Sequence, residues 1–384
     1  MRASGRLFGP ALLLLSLMAQ GAEPPLPPDG PIGSKSLPSA WNRHWVWVND
    51  FVFPHMTDGM AYLIDGDSGE YLGTLSTGAS FVRVLLPASG DLMYSPETYF
   101  SRGTRGTRTD VVTLYDRKNL KAAGEIIIPP KRASNLPMMS DEALTDDDRF
   151  LLIYNFNPAQ SVSVVDTRKK AFVGEIETAG CALIYPTGAR SFFSLCGDGA
   201  ALAIDLDDSG AVAKRTRTDP LFEAGSDPVS EKGVRVKDTW YFASFNGDVY
   251  PIVKTASGLS RGTKWALTTA AERKQGWRPG GMQHLAVHEG RHELYSIMHQ
   301  GPLSTHKDPG SVVWVYDLNS NIRVRTIPLK SLSSSILLSK DDQPLLFSIF
   351  IDSSTLDIYD PLKGTHLRSV EHVGTTPALL VNEP

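Results

Sequence analysis

The segment VSVVDTRKKAFVGEI (162–176) contains a pattern that recurs along this chain: an apolar strand, an aspartate, a polar turn and a second strand. Val, Ile, Phe and Tyr favour strands, and an aspartate followed by polar residues is typical of a tight turn. Six further segments repeat the plan. They are YLIDGDSGEYLG (62–73), VTLYDRKNLKAAGEI (112–126), LAIDLDDSGAVAK (202–214, around Asp205), VYPIVKTASGLSR (249–261, with Val253 at the aspartate position), VWVYDLNSNIRVRTI (313–327) and LDIYDPLKGTHLRSV (356–370).

A second series of turn segments lies between these aspartate turns. Its members are PASGD (87–91), TDDDR (145–149), PTGAR (186–190), SEKGV (230–234), HEGRH (288–292) and SKDDQ (339–343). Two hairpin turns in each unit of about 49 residues imply four strands per unit, which is the blade of a β-propeller. We therefore predict an all-β fold, a seven-bladed β-propeller of four-stranded antiparallel blades, in which TPALLV (376–381) completes the blade begun near Trp45. A pair of β-sandwiches is the alternative, but it does not account for seven turns in register.

The composition limits the functions that the chain can serve. It has 384 residues, with 38 lysines and arginines against 42 aspartates and glutamates, for a formal net charge of -4. No basic excess indicates nucleic-acid binding. Two cysteines are too few for a small disulfide-built scaffold or a four-cysteine zinc site. The composition favours a large globular protein that does not bind nucleic acid.

The amino terminus has the three-part layout of a secretory signal peptide. Residues 1–22 contain two arginines, an apolar run from Leu7 to Met18, and small residues after it. Because the apolar run is shorter than the roughly 18–20 residues that cross a bilayer, we expect cleavage and export, without membrane insertion. Residues 23–38 are expected to form a proline-rich arm, and residues 39–384 a single propeller domain.

The only two cysteines, Cys181 and Cys196, are expected to form a disulfide after export. An oxidising compartment would join them and close a loop of about 16 residues, which would stabilise the fold by about 3 kcal/mol. Two buried thiols are the alternative. The prediction therefore depends on the signal peptide.

Three histidines recur at a spacing of four residues: His284, His288 and His292. Their segment, QHLAVHEGRHELYSI (283–297), is typical of two strands around a Glu-Gly turn, with His284 and His288 on one strand face. Zinc or copper binding is one interpretation, and histidines packed within the fold are the favoured one. The chain contains no HExxH motif, no nucleophile elbow, no dinucleotide-binding glycine pattern and no P-loop.

A basic segment is the first candidate for contact with a partner protein. FSRGTRGTRTD (100–110) carries Arg102, Arg105 and Arg108 at every third position, in what we interpret as a long connection between strands. Arginines in such a connection suit an acidic partner surface, and they equally suit the backbone carbonyls of a neighbouring blade.

A second candidate for partner contact is WRPGG (277–281), which begins a strand after a short polar, helix-like stretch. Trp277 and Arg278 are residue types that anchor protein interfaces. A tryptophan wedged between two blades is an equally good interpretation.

Six segments in this order resemble the large (heavy, α) subunit of the quinoprotein amine dehydrogenases, and they are more similar to aromatic amine dehydrogenase than to methylamine dehydrogenase. The resemblance covers about residues 40–370. The segments are VNDFVFPHMTDG (48–59), FSRGTRGTRTDVV (100–112), PPKR (129–132), AGCALIYPTGARSFFSLCGDG (179–199), GWRPGG (276–281) and THKDP (305–309).

The resemblance implies a propeller subunit in a periplasmic α2β2 tetramer. A small, disulfide-rich β subunit carries tryptophan tryptophylquinone, primary amines are oxidised to aldehydes and ammonia, and electrons pass to a small copper protein or a cytochrome. This chain would hold no cofactor, no metal and no catalytic residue. In the loop TGASFVRV (77–84), Phe81 corresponds best to the family's aromatic wall of the substrate channel. Cys181 and Cys196 match the family's cysteines.

Two other functions remain open for an exported propeller. One is a self-sufficient hydrolase similar to the lactonases, which would need metal-binding carboxylates, Asn or His side chains converging on the central tunnel. The other is a scaffold that only binds other proteins. A neighbouring reading frame for a short cysteine-rich protein would distinguish the amine dehydrogenase subunit from both.

Overall fold

The structure is a computed structural model that describes residues 33, 35–79, 81–133 and 137–383. The predicted signal peptide lies outside the described residues, and so does most of the predicted proline-rich arm. From Ser36 onward the described chain forms one compact unit. Within the described ranges, no helix is both long enough and apolar enough to cross a membrane.

Seven small antiparallel sheets build this unit, which confirms the predicted seven-bladed β-propeller. The strands of the first four blades are as follows: blade 1, β1 (Trp45–Asp50), β2 (Met60–Asp65) and β3 (Tyr71–Ser76); blade 2, β4 (Leu92–Arg102), β5 (Arg105–Asp116) and β6 (Ala122–Ile128); blade 3, β7 (Glu142–Leu144), β8 (Phe150–Asn155), β9 (Ser161–Asp166) and β10 (Ala171–Glu177); blade 4, β11 (Cys181–Gly188), β12 (Ser191–Cys196), β13 (Ala201–Leu206) and β14 (Val212–Arg217).

The remaining blades follow in chain order, with the last strand returning to blade 1. They are blade 5, β15 (Val234–Val236), β16 (Thr239–Ala243), β17 (Asp248–Thr255), β18 (Gly258–Arg261) and β19 (Trp265–Ala266); blade 6, β20 (Trp277–Pro279), β21 (Leu285–His288), β22 (Glu293–Gln300), β23 (Gly310–Asp317) and β24 (Ile322–Ser333); blade 7, β25 (Ser335–Leu338), β26 (Leu346–Phe350), β27 (Thr355–Asp360) and β28 (Thr365–Val370); and β29 (Pro377–Val381). Within the described part of the chain, three short helical segments connect strands: two 3-10 turns, Phe53–His55 and Glu289–Arg291, and one helix, α1 (Ala270–Lys274).

The C-terminal strand closes the ring, as predicted. β29 pairs with β1 in antiparallel register, with Val48 opposite Leu380 and Trp47 opposite Val381. Blade 1 therefore takes its innermost strand from the end of the chain and its other three strands from the beginning. This pairing removes the free sheet edge that an open ring would expose.

Burial follows the position of a strand within its blade. In blade 3, β8 and β9 are buried along their whole length because neighbouring blades cover both faces of the sheet. The outermost strand of blade 4, β14, is exposed at every position. The inner strand of blade 2 is irregular: in its described residues, 79 and 81–86, the backbone pairs with β4 through isolated bridges, Ala79 with Thr98 and Leu85 with Tyr94.

The aspartates that end the third strands cap their turns. Asp166 Oδ1 accepts hydrogen bonds from the backbone N–H groups of Arg168 and Lys169, each at 3.0 Å, and Asp116 makes the same pair of contacts two and three residues ahead. A carboxylate that satisfies two turn N–H groups explains why the repeat selects aspartate. In blade 4 the capping residue is Asp207, whose Oδ1 accepts a hydrogen bond from the backbone N–H of Ser209 at 2.8 Å. The prediction of Asp205 at this position was wrong by two residues.

Five of the six turns predicted in the second series join the first and second strands of a blade. The exception is SEKGV (230–234), where β15 only begins at Val234 and the hairpin turn lies at residues 237–238. Gly233 marks close packing and not a turn, because a Cβ at this position would lie 2.4 Å from the ring of Phe242. Lys237 lies in this turn with a φ of +50°. The turn was not visible in the sequence because the residue with the positive φ is neither glycine nor asparagine.

Both turn series lie on the same face of the propeller, because connections in an antiparallel blade alternate between its two ends. We call this face the turn face. The opposite face, the loop face, holds the connections from second to third strand and from one blade to the next. The longer loop-face connections are 51–59, 129–133 with 137–141, 156–160, 218–233, 262–276, 301–309 and 371–376.

Candidate functional site

The loop face contains most of the segments that carry the family resemblance. Five of the six segments lie in its connections or at the strand ends beside them, and the sixth (179–199) reaches both faces. The turn face instead carries the aspartate turns that the blades share. The loop face is therefore the part of this chain that distinguishes it from a plain propeller, and we take it as the candidate functional site.

Asp50 fixes the loop-face connection of blade 1. Its buried carboxylate accepts hydrogen bonds from the backbone N–H of Val52 at 3.0 Å and of Thr375 at 2.6 Å. Gly374 allows this approach, because a Cβ there would lie 2.4 Å from Asp50 Oδ2 and the backbone has a φ of +80°. Asp50 therefore ties the connection after β1 to the connection before β29.

An aromatic cluster forms on the connection that Asp50 holds. Phe81, which the family resemblance assigns to the wall of the substrate channel, is only 7% exposed. Its ring centre lies 5.3 Å from that of Phe51 and 5.4 Å from that of Phe53, edge to face. Phe53 is 42% exposed. Phe81 is thus the buried base of a cluster whose outer ring is Phe53. We call Phe51, Phe53 and Phe81 the aromatic platform.

Tyr99 extends this aromatic surface onto blade 2. Its hydroxyl donates to Glu97 Oε2 at 2.5 Å, and the same oxygen accepts a hydrogen bond from Thr113 Oγ1 at 2.6 Å. A Cβ at Gly78 would lie 3.2 Å from the ring carbon Cζ of Tyr99. The ring therefore lies directly against the connection that carries Phe81.

Arg132, from the PPKR segment, positions the connection beneath the platform. Its guanidinium is fully buried and donates to the backbone carbonyls of Phe81 at 3.4 Å and of Ala79 at 3.3 Å, and to Thr98 Oγ1 at 3.3 Å. Its own backbone N–H donates to Asp110 Oδ2 at 3.0 Å. The sequence gives no sign that this arginine is buried, and sequence reasoning did not name it as a site residue.

A buried ionic cluster surrounds Arg132. Glu142 lies 3.5 Å from Arg132 Nη1 and 3.8 Å from Arg83 Nε, and Arg83 also donates to the backbone carbonyl of Glu142. Burial raises the pKa of Glu142, and the two arginines oppose that rise. Burial, together with the charge of Glu142, raises the pKa of Asp141 well above its usual value. Two arginines therefore face two carboxyl groups that burial pushes towards the neutral form.

The basic segment 100–110 is strand and not the long connection that the sequence suggested. β4 and β5 pair as far as Arg102 opposite Arg105, with only Gly103 and Thr104 in the turn, and Gly103 has a φ of +69°. Arg102 and Arg105 are exposed at the tip of this hairpin. Arg108 faces inward and donates to the carboxylate of Asp110 and the carbonyl of Arg132, each at 2.8 Å.

The connections of the loop face carry more exposed apolar side chains than the turns of the turn face. Among the described residues, four large apolar side chains that are more than a third exposed lie in loop-face connections, and one, Leu362, lies in a turn of the turn face. The other eight lie on strands; Tyr99 is on the β4–β5 hairpin of the loop face, and Tyr71, Val212 and Ile322 begin outer strands beside the turn face. Exposed apolar groups that cluster on one face indicate a binding surface. The four are Phe53, Met56, Phe156 and Leu303.

Trp277 and Arg278 make internal contacts in blade 6. The ring of Trp277 packs on Trp314 with centres 5.1 Å apart, and Arg278 is buried and donates to backbone carbonyls. The glycines that follow are required by close packing, since a Cβ at Gly280 would lie 2.6 Å from the carbonyl oxygen of Asp308. Contact of Trp277 or Arg278 with a partner protein stays a prediction.

The three histidines at four-residue spacing do not converge. His284 is buried, with no hydrogen-bond partner for either ring nitrogen among the described residues, and burial lowers its pKa so that the ring is neutral. His288 Nε2 bonds the carbonyl of Asp341 at 2.8 Å, and His292 is the residue after the 3-10 turn of the hairpin. In the part of the chain that the structure describes, no three His, Cys, Asp or Glu side chains are arranged to hold a metal ion.

A cavity of 420 Å³ occupies the propeller axis. The two carboxylates in its described lining are ion-paired: Glu142 with the arginines described above, and Asp146 with Arg235 at 2.6 Å. A ring of apolar residues, one from each blade, crosses its middle. They are Leu85, Leu144, Ile184, Val234, Leu285, Leu337 and Val381.

The predicted disulfide joins the first two strands of blade 4. Cys181 and Cys196 are directly opposite in register, with Cα atoms 3.9 Å apart, and they form the bridge within one blade. Arg217 Nη1 lies 3.3 Å and 3.1 Å from the two sulfur atoms, and its Nη2 donates to Asp198 at 2.6 Å. The disulfide lies at the loop-face end of these two strands, beside the connection 197–200.

Comparison with known proteins identifies relatives of almost the whole described chain. Residues 42–383 match the family model described as methylamine dehydrogenase heavy chain (MADH). The methylamine dehydrogenase heavy chain of Methylophilus methylotrophus is 31% identical over 334 residues, covering 85% of this chain and 80% of that protein. The same subunit of Methylobacillus flagellatus is 28% identical over 396 residues, covering 98% and 97%.

The similarity to solved structures concerns the fold alone. A protein of unknown function from Desulfotomaculum acetoxidans superposes with a TM-score of 0.60 at 13% sequence identity, covering 88% of this chain and 98% of that one. At this level of identity, the similarity supports the propeller and carries no information about activity.

Proposed function

Because the chain belongs to the methylamine dehydrogenase heavy chain family, we propose that it is the large scaffold subunit of an amine dehydrogenase that oxidises primary amines to aldehydes and ammonia. A separate small subunit carries tryptophan tryptophylquinone, which supplies the two-electron oxidation. The two kinds of subunit form an α2β2 tetramer, and a small copper protein or a cytochrome accepts the electrons.

The loop face binds the small subunit in this proposal. The observation that carries it is that the family-specific segments share the connections of one face with four exposed apolar side chains, whereas the turns of the opposite face carry one. Aromatic and arginine side chains at such a surface are the residue types that dominate protein interfaces. Arg102 and Arg105 at the tip of the β4–β5 hairpin supply positive charge beside the aromatic surface.

The aromatic platform forms one wall of the substrate entrance. Phe53 presents its ring at the surface, and Phe81 supports it from below. Arg132 holds the carbonyl of Phe81, so it acts as a positioning residue for this wall. We propose an aromatic primary amine as the substrate, on the resemblance of the six segments to aromatic amine dehydrogenase; the relatives compared above are named for methylamine.

The periplasm is the proposed location. Its support is the three-part amino-terminal sequence together with the Cys181–Cys196 bridge, because disulfides form and persist in oxidising compartments.

Purification of the exported chain from its native host tests this function. We expect a small cysteine-rich protein to copurify in equal amounts, a visible absorption band that an amine bleaches, and amine-dependent reduction of an artificial electron acceptor.

Charge reversal by Arg102→Glu with Arg105→Glu should weaken the association with the small subunit about tenfold or more. The matched control is Lys214→Glu with Arg215→Glu on the exposed outer strand β14, which should leave it unchanged. A chain that purifies alone and shows no absorption change with amines would refute the proposal.

A further inference from the structure

A second cavity opens on the loop face between blades 3, 4 and 5, away from the propeller axis. Its volume of 380 Å³ lies in the range of small-ligand pockets, about 300–1,000 Å³. Its described lining comes from the connection before β7, the end of β8, the start of β11 and the connection before β15. The residues are Ala133, Met138, Asp141, Tyr154, Phe156, Ala182, Leu183 and Glu231.

Both charged residues in this lining are acidic. Asp141 is 4% exposed, and its backbone N–H donates to the carbonyl of Met138 at 3.4 Å. Glu231 is half-buried, and the amine of Lys232 lies 3.8 Å from its carboxylate but donates to the carbonyl of Gly281 at 2.8 Å. Two acidic side chains therefore face the cavity, of which Asp141 is pushed towards its neutral form by burial, which raises its pKa.

The rest of the lining is apolar or aromatic. Phe156 is exposed at the rim, while Tyr154 and Leu183 are buried in the wall. Aromatic faces attract cations, and an ammonium group held between carboxylates gains charge-assisted hydrogen bonds. A ligand that suits both parts of the lining has a cationic head and a hydrocarbon tail.

We propose that this cavity, which we call the acidic cavity, binds an organic ammonium ion with its head between Asp141 and Glu231 and its tail against the aromatic wall. The cations of the buried cluster lie behind Asp141 and not in the cavity: Arg132 is fully buried and Arg83 lines the axial cavity. A bound ammonium ion would pair with the carboxylate of Glu231 and favour the ionised form of Asp141 against the burial that raises its pKa.

The acidic cavity is close to the aromatic platform but separate from it. Ala133, in its lining, follows Arg132, which holds the backbone of Phe81, and Met138 precedes Met139, which packs on the platform. A primary amine as the natural ligand rests on the proposed function, and the cavity would then hold substrate beside the entrance. Binding of an ammonium ion by this chain alone does not depend on amine oxidation.

Calorimetric titration of the full chain, without a small subunit, tests this inference. The probes are phenethylammonium chloride, its neutral counterpart 2-phenylethanol, and methylammonium chloride, which has the charge without the tail. We expect saturable binding of one phenethylammonium ion per chain, with a dissociation constant in the millimolar range or below. The neutral alcohol and the tail-less ion should each bind at least about tenfold more weakly, because each lacks one of the two contacts.

Variants then locate the binding site. Glu231→Gln and Asp141→Asn, which preserve side-chain size, should each weaken phenethylammonium binding about tenfold or more, and Phe156→Ala at the exposed rim should weaken it without disturbing the fold. Glu223→Gln, an exposed glutamate in the same connection as Glu231 and outside the lining, is the matched control and should bind like the native chain.

Equal binding of the alcohol and the ammonium ion would overturn the inference, as would native affinity in Glu231→Gln. An amine that is oxidised by the assembled enzyme but is not bound by this chain alone would also overturn it, while leaving the proposed function intact. Binding by the chain without any amine-dependent activity in the assembly would instead support the inference and contradict the proposed function.

Discussion

Replacement of Arg132 by methionine should destabilise the propeller more than any exposed arginine can. The guanidinium is fully buried, donates to two carbonyls of the connection carrying Phe81, and lies 3.5 Å from Glu142. Removing one partner of a buried ion pair costs about 3–5 kcal/mol because the other charge stays behind. Arg83 remains 3.8 Å from Glu142, so we place the loss near the lower end, at about 3 kcal/mol.

The cost should depend on pH in a defined direction. Burial raises the pKa of Glu142 in the folded protein above its usual value of 4.5, and Arg132 opposes that rise. In Arg132→Met the pKa of Glu142 in the folded protein is therefore higher still, and its carboxyl keeps its proton to a higher pH. The free energy of unfolding of this variant therefore falls further than that of the native chain as the pH rises above 4.5. Urea unfolding followed by near-ultraviolet circular dichroism should show a smaller loss at pH 4.5 than at pH 7.5.

Two further variants make this measurement decisive. Arg132→Met combined with Glu142→Gln should narrow the difference between the two pH values, because the Glu142 carboxyl that titrates is then absent. Arg215→Met on the exposed strand β14 is the matched control and should change stability by no more than about 0.5 kcal/mol. A loss below about 1 kcal/mol for Arg132→Met, or the same loss at both pH values, would refute the role given to this arginine.

Three more predictions follow from other contacts. Reduction of Cys181–Cys196 should lower the free energy of unfolding by about 3 kcal/mol, and an unchanged urea midpoint would show that the bridge contributes nothing. Deletion of residues 377–384 removes β29 and opens the ring, so cooperative unfolding should be lost; a sharp native transition in the truncated chain would contradict closure by this strand. Gly374→Ala should cost more than about 1 kcal/mol, since its Cβ would lie 2.4 Å from Asp50 Oδ2 at a positive φ; native stability of this variant in urea would contradict that contact.

The repeat pattern predicted the architecture because each blade is a local unit. An aspartate such as Asp166 caps its own turn, and the strands beside it pair with each other, so sequence neighbours carry the information. The closing strand was equally visible as an isolated apolar run at the end of the chain. The prediction failed for the turn at Lys237, because this turn contains neither the glycine nor the asparagine that usually indicates a positive φ.

The site was predictable only in part, because it is assembled from connections that are distant in sequence. The resemblance pointed to Phe81, whose place on the substrate channel stays a prediction, and the contact of its ring with the exposed ring of Phe53 became visible only in the structure. Arginine is a residue type that usually lies at the protein surface. Arg132 is buried only because blades 1, 2 and 3 pack around it. Asp141 lies in a stretch with no motif, and the cavity that it lines is formed by three blades.

Hydrogen exchange of the chain, alone and in the copurified assembly, tests the docking face most directly. If the loop face binds the small subunit, amides in 51–59 and 100–108 should exchange more slowly in the assembly. Amides of the aspartate turns at 65–71 and 166–171, on the turn face, should exchange at the same rate in both samples. Protection of the turn face with unchanged exchange on the loop face would contradict the account.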